Sequence, residues 1–222
     1  MVEPFGDAVE REVVWLLGAP FDLVGFWAWA EGEPVLAALK APLAGYRPPL
    51  VPDRWEMLVT SITAQQVSLR SAFATRSRLI ERFGEQHEHA WAFPTRERIA
   101  QATEGEIREV GFSTRKAEYV IGVARGDLDL AALDRLSDSQ VIEAITAQRG
   151  LGRWTADWFL GRALGRPDAW PAGDLGVRKA VSFFYGSGRN LDEAEVRDVG
   201  ERFGSWRNIA CHMLLAGARS HG

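Results

Sequence analysis

Apolar residues recur at helical spacing along almost the whole chain, and no convincing strand alternation occurs beyond the first fifty residues. This pattern constrains the fold more than any other feature and predicts an all-α protein built from short, often interrupted helices. Asp53 and Glu56 have the spacing of an N-cap and its reciprocal partner, opening a helix with Trp55, Leu58, Val59 and Ile62 on one face. That helix is expected to continue, with a kink, through "TAQQVSLRSAFATRSRLIERFG" and to stop at Gly84. A shorter helix is expected over "TEGEIREVG". Ser113 caps "TRKAEYVIGVARG", and Ser137 with Gln140 opens "DSQVIEAITAQ". After Gly150 and Gly152 a helix runs from about Trp154 to Leu164, and Pro167 and Pro171 then enforce an extended connection. Helices resume at Leu175, at Asp192 and after Ser205, giving about nine or ten in all. A boundary near "YRPPLVPD" sets a short acidic N-terminal segment, 1–50, against a helical body, 51–222.

Composition narrows the class. A chain of 222 residues with 46% hydrophobic and 25% charged residues has the make-up of an ordinary globular protein of one large or two small domains. The lone Cys211 excludes an internal disulfide, a cysteine zinc site and a four-cysteine iron–sulfur cluster. It also fits a reducing, cytoplasmic setting (nucleoid-associated in a bacterium). The early apolar stretch "VVWLLGAPFDLVGFWAWA" is broken by Pro20 and Asp22 and has neither a basic start nor a run of about 20 apolar residues. It is expected to belong to the folded domain, with no membrane as partner. The net charge of −4 argues weakly against nucleic acid, but residues 146–189 hold seven Arg or Lys against three Asp. That is a local +4, leaving −8 on the rest, and a local basic face governs phosphate contacts.

The stretch "RGLGRWTADWFLGRALGRPDAWPAGDLG", residues 149–176, concentrates the chemistry. "AITAQ-RGLG-RWTADWFLG" reads as helix, glycine turn, helix, and the second helix presents free N–H groups and a positive dipole end. Arg149 and Arg153 flank the turn, so it is an anion cradle suited to a DNA phosphate without base reading; a simple helix corner is the plain alternative. Trp154 and Trp158 are four apart on one helix face and could hold a cationic ring by cation–π attraction of about 0.5–2 kcal/mol each. Core packing is their plain alternative. Asp174, at the start of the next helix, can accept backbone N–H bonds and stay ionised, whether as a cap or as a catalytic carboxylate.

These residues resemble the helix–hairpin–helix DNA glycosylase superfamily, most of all its alkylation-repair branch, DNA-3-methyladenine glycosylase II. The likeness includes "SITAQQVS", "GFSTRKAEYV" and "FGSWRNIACHMLLAGAR" and covers roughly residues 50–218. It implies a two-lobed helical fold with the active cleft between the lobes, a hairpin at about 138–164 and a catalytic loop at 165–176. The implied activity is monofunctional hydrolysis of the N-glycosidic bond of a flipped alkylated purine in double-stranded DNA, by a monomer needing no cofactor.

By resemblance Asp174 is the catalytic aspartate, Trp154, Trp158 and Gln65 line the base pocket, and Gln66 fills the gap left by the base. Arg149, Gly150, Gly152, Arg153 and Thr155 meet the DNA backbone. Main-chain carbonyls of Thr146, Gln148 and Leu151 match positions that bind a structural monovalent cation in relatives. Trp154 stands where bifunctional relatives have a lysine, and tryptophan cannot form a Schiff base. Gln66 departs from a frequent leucine, and Leu215 from a pocket tryptophan. The competing readings are a glycosylase for uracil, hypoxanthine or mismatched bases, and a non-catalytic binder of damaged DNA.

Overall fold

The computed structural model describes residues 6–88 and 90–220. In chain order the helices are α1 (Asp7–Leu16), α2 (Leu23–Ala30), α3 (Pro34–Leu39), α4 (Arg54–Ala64) and α5 (Leu69–Phe83). A two-residue antiparallel pair follows, β1 (Gln86–His87) with β2 (Ala90–Trp91). Then come α6 (Arg96–Ala100), α7 (Glu104–Glu109), α8 (Thr114–Arg125), α9 (Asp138–Thr146) and α10 (Arg153–Arg162). The last three are α11 (Leu175–Tyr185), α12 (Glu193–Glu201) and α13 (Arg207–Ser220). The protein is therefore all-α, with thirteen α-helices among the described residues rather than nine or ten. The small β1–β2 pair is the one departure from the expected absence of strands after residue 50.

Two compact units divide the chain. One is Asp53–Phe159; the other joins Met1–Pro52 to Leu160–Gly222. The boundary read near 46–53 coincides with the passage between units at Pro52, but the N-terminal segment folds with the C-terminal helices. The helical body expected over 51–222 contributes to both units, the passage between them falling within α10.

In the unit Asp53–Phe159 the predicted caps form. Asp53 accepts from Glu56 N at 2.7 Å, Ser113 accepts from Lys116 N, and Ser137 and Gln140 make a full capping box. The carboxylate of Glu56 does not return to Asp53; it pairs with Arg76. The expected long helix is broken, because α4 ends at Ala64 and Gln66 takes a left-handed φ of 54°. Ser68 then caps α5, its hydroxyl accepting from Ser71 N. Arg96 and Arg125 close two helix ends reciprocally. Arg96 donates to the carbonyls of Val123, Ala124, Gly126 and Leu128, and Arg125 to those of Ala100 and Ala102. The core holds Leu58, Ile62, Leu79, Ile99, Ile107, Val120, Ile145 and Phe159.

In the other unit Phe26, Leu36, Leu50, Val181, Phe203 and Met213 are buried. Asn208, 2% exposed, donates its amide to the carbonyls of Gly161 and Arg166 at 2.9 Å each, and its backbone N–H to Pro167 O. Trp170 donates to Val196 O at 2.9 Å and lies against Gly200, where a Cβ would come within 2.6 Å of its Nε1. These anchors fix the loop that leads into α11.

Candidate functional site

The glycine turn at 149–152 joins α9 to α10, closed by Leu151 N donating to Gln148 O at 3.1 Å. Gly150 has φ 89°, and a Cβ there would lie 2.1 Å from Tyr119 Cγ, so the fold itself demands glycine. Gly152 is different: it is exposed, and nothing stands within 4 Å of where its Cβ would be. The protein makes no packing demand on that position, whereas a ligand approaching the first N–H groups of α10 would.

The two arginines of the turn are held unequally. Arg149 is 79% exposed, lies over Tyr119 and pairs with Glu118 at 3.0 Å, an exposed contact worth at most about 1 kcal/mol. Exchanging Glu118 for a phosphate therefore costs little. Arg153 donates to Asp157 at 2.7 Å, and that carboxylate is only 6% exposed. Arg153 is thus tied to its own helix, with its remaining guanidinium N–H groups left to face outward. Thr155 is 1% exposed, so its side chain packs inside, and a DNA contact through it is excluded. The Leu151 side chain is buried as well. The Thr146 hydroxyl turns back onto Ile142 O.

Trp154 and Trp158 lie half-buried on α10, as their spacing requires. Gln65, expected at the base pocket, donates its amide to Gly150 O at 2.8 Å and so connects the end of α4 to the glycine turn. Gln66 is exposed, at the rim of a cavity of about 270 Å³ that Thr63, Gln65, Ser113 and Lys116 also line.

Asp174 belongs to the other unit and caps α11, accepting from Val177 N at 2.9 Å. It is half-buried, and its own N–H donates to Pro171 O. A Cβ on Gly176 would meet Asp174 Oδ1 at 3.0 Å and Leu215 at 3.6 Å, so Leu215 stands beside the start of this helix. Two further residues of reactive type lie in this unit, Cys211 and His212. Burial pushes the Cys211 thiol far above its ordinary value, and the Asp174 charge adds to this, so it is no thiolate nucleophile. Burial, with the charges of Arg162 and Arg219, pushes His212 down to about 3, so its imidazole is neutral in the fold at neutral pH. Near the C-terminus, Trp206 joins an aromatic cluster with Phe26 and Trp29, and Arg207 pairs with Glu201.

Sequence reasoning missed Asn208, Tyr119 and Lys116. Asn208 left a signal, a lone amide in the apolar stretch "NIACHMLL". Tyr119 and Lys116 left none, because their roles depend on residues far away in sequence.

The arrangement is that of a helix–hairpin–helix protein with a capping aspartate at the end of an anchored loop. Residues 59–204 match the model of the HhH-GPD superfamily base excision DNA repair protein, and the chain belongs to that superfamily. It is 28% identical over 201 residues to the DNA-3-methyladenine glycosylase of Bacillus subtilis strain 168, covering 87% of this chain and 66% of that protein. A second B. subtilis relative, a putative DNA-3-methyladenine glycosylase, is 33% identical with 53% of its length covered, so the chain spans between half and two thirds of these relatives. Among solved structures, the 3-methyladenine DNA-glycosylase from Archaeoglobus fulgidus superposes with a TM-score of 0.89 at 32% identity, covering 97% of this chain and 77% of that one. The same fold recurs in the Clostridium acetobutylicum 8-oxoguanine glycosylase/lyase in complex with double-stranded DNA, with a TM-score of 0.84 at 21% identity, covering 98% and 77%.

Proposed function

We propose that this protein is a monofunctional DNA glycosylase that removes alkylated purines from duplex DNA. The observation that carries the reading is Asp174: a half-buried carboxylate at a helix N-terminus, at the end of a loop fixed by buried anchors. One oxygen accepts Val177 N–H, and the helix dipole favours the charged form. Breaking a glycosidic bond develops positive charge on the sugar. A carboxylate at 4 Å attracts that charge by about 4 kcal/mol at an effective dielectric of 20, about a thousandfold in rate if felt only in the transition state.

In the reaction the C1′–N bond breaks and its electron pair leaves with the base. Water oxygen then bonds to C1′, and the water proton passes to Asp174 or to solvent. An N3- or N7-alkylated purine is already cationic and departs neutral, so no second acid is needed. Trp154 and Trp158 supply electron-rich faces for such a ring. With tryptophan at 154 in place of a lysine nucleophile, the product is an abasic site in an uncut strand.

The hairpin grips phosphate through Arg149 and the N–H groups of α10. The carbonyls of Thr146, Gln148 and Leu151 would supply neutral oxygens of the kind that suits a monovalent cation, and Gln148 O keeps one lone pair beyond its bond to Leu151 N. Such a cation would add positive charge for the phosphate.

The test is release of methylated purines from treated duplex by the parent and by Asp174→Asn. The expected result is release that falls at least about a thousandfold in the variant, with strand breaks only after alkali. Equal binding of alkylated duplex by both proteins without any release would make this a damaged-DNA binder instead.

A further inference from the structure

The turn between α4 and α5 is strained and exposed at one residue. Gln66 holds φ 54°, a conformation that costs a non-glycine residue about 1–2 kcal/mol. Its side chain makes no hydrogen bond among the described residues, so nothing local compensates the strain. Backbone in such a state persists when its surroundings over-determine it. Two long-range bonds do so here. Before Gln66, the Gln65 amide donates to Gly150 O at 2.8 Å. At the end of α4, Lys116 donates from α8 to the Thr63 carbonyl at 2.9 Å, one of the terminal acceptors that the helix leaves unpaired. The Thr63 side chain is itself buried and bonded to Val59 O, so this end of the strut is rigid.

We propose that Gln65 and Lys116 are positioning residues that together hold Gln66 out from its turn, in register with the phosphate-gripping hairpin, so that its free amide enters the duplex at the flipped nucleotide. The proposal rests on the glycosylase reading above. Its physical content is coupling. The acceptor of the Gln65 bond is the carbonyl of Gly150, the residue pinned on Tyr119, so the place where the hairpin grips the strand sets the base step that Gln66 meets. Lys116 supplies the second fixed point. Its amine is partly desolvated, which lowers its pKa, and the Thr63 carbonyl takes the place of lost water.

The experiment uses the intact protein and two duplexes of equal length, one undamaged and one with a tetrahydrofuran abasic analogue opposite 2-aminopurine. Gln65→Met keeps the bulk but cannot donate, Lys116→Met removes the ammonium, and Lys116→Arg keeps a donor. Both methionine variants are expected to bind the abasic duplex about tenfold more weakly and to lose the 2-aminopurine fluorescence change, while undamaged duplex binding stays within about twofold. Lys116→Arg should recover most of the loss. Gln65→Met combined with Gln66→Ala should be no weaker than Gln66→Ala alone, because both act through one side chain. Additive losses in that double variant, or equal losses on the two duplexes, would overturn the proposal and leave a merely structural role. A parent protein that does not prefer the abasic duplex would overturn the glycosylase reading, and the brace with it.

Discussion

The glycine turn at 149–152 and the loop at 165–174 look alike in sequence, each a glycine-containing connector that ends at the start of a helix. They are held in opposite ways. The turn is closed by its own backbone, rests on one ring, Tyr119, and leaves Gly152 and Arg149 exposed. The loop buries Ala169, Trp170 and Ala172 and is tied down by Asn208 and by Val196, both distant in sequence. A phosphate grip needs accessible N–H groups and tolerates small adjustments. A carboxylate that stabilises a developing cation gains most when its position is set before the reaction, because reorganising it would cost part of the stabilisation.

Substitutions can break or sharpen this contrast. The largest expected effect is at Gly150, where an added methyl group would strike Tyr119 and the backbone is left-handed. Gly150→Ala should lose about 3 kcal/mol or more in urea unfolding. Gly152→Ala should stay within about 1 kcal/mol of the parent while weakening duplex binding. Unimpaired duplex binding by Gly152→Ala would mean that DNA does not approach this end of α10.

Next comes Asn208→Ala, which removes the donor to the buried Gly161 carbonyl and one of the two donors to the Arg166 carbonyl, and should cost about 2 kcal/mol. Single-turnover base release should fall with it, with duplex affinity unchanged. A matched loss of affinity would show that the loop and the turn are not separately held.

The last effect appears only in acid and is negligible at neutral pH. His212 stays neutral in the fold down to about 3, whereas the unfolded chain binds a proton near 6.5. Its stabilising contribution is therefore complete above about 6.5 and is lost as pH falls toward 3, by up to about 1.4 kcal/mol per pH unit. His212→Gln should flatten the fall in unfolding midpoint over that window. An unchanged slope would assign the acid sensitivity to other groups.

Local chemistry made much of this legible. Asp53, Ser113 and Ser137 cap the helices they were expected to cap, since a side-chain oxygen three residues ahead of a free N–H acts within one turn. The turn glycines and Asp174 at the head of α11 were readable for the same reason. The break at Gln65–Gln66 was not, because apolar periodicity continues on either side of it and two bonds from distant residues hold the strained turn. The burial of Thr155 was not legible either, because helical position alone does not show which face the core covers.

The order of helices, their caps, the hairpin and the candidate carboxylate follow from the sequence by itself, because each depends on neighbours within a few residues. Only the tertiary structure decided that the N-terminal segment folds with the C-terminal helices, and that Asn208 anchors the aspartate loop. It also decided that Gln65 binds the hairpin, that Arg153 is tied to a buried carboxylate, and that His212 stays neutral. Each of these depends on which distant group fills a lone pair or excludes water, and chain spacing does not encode that.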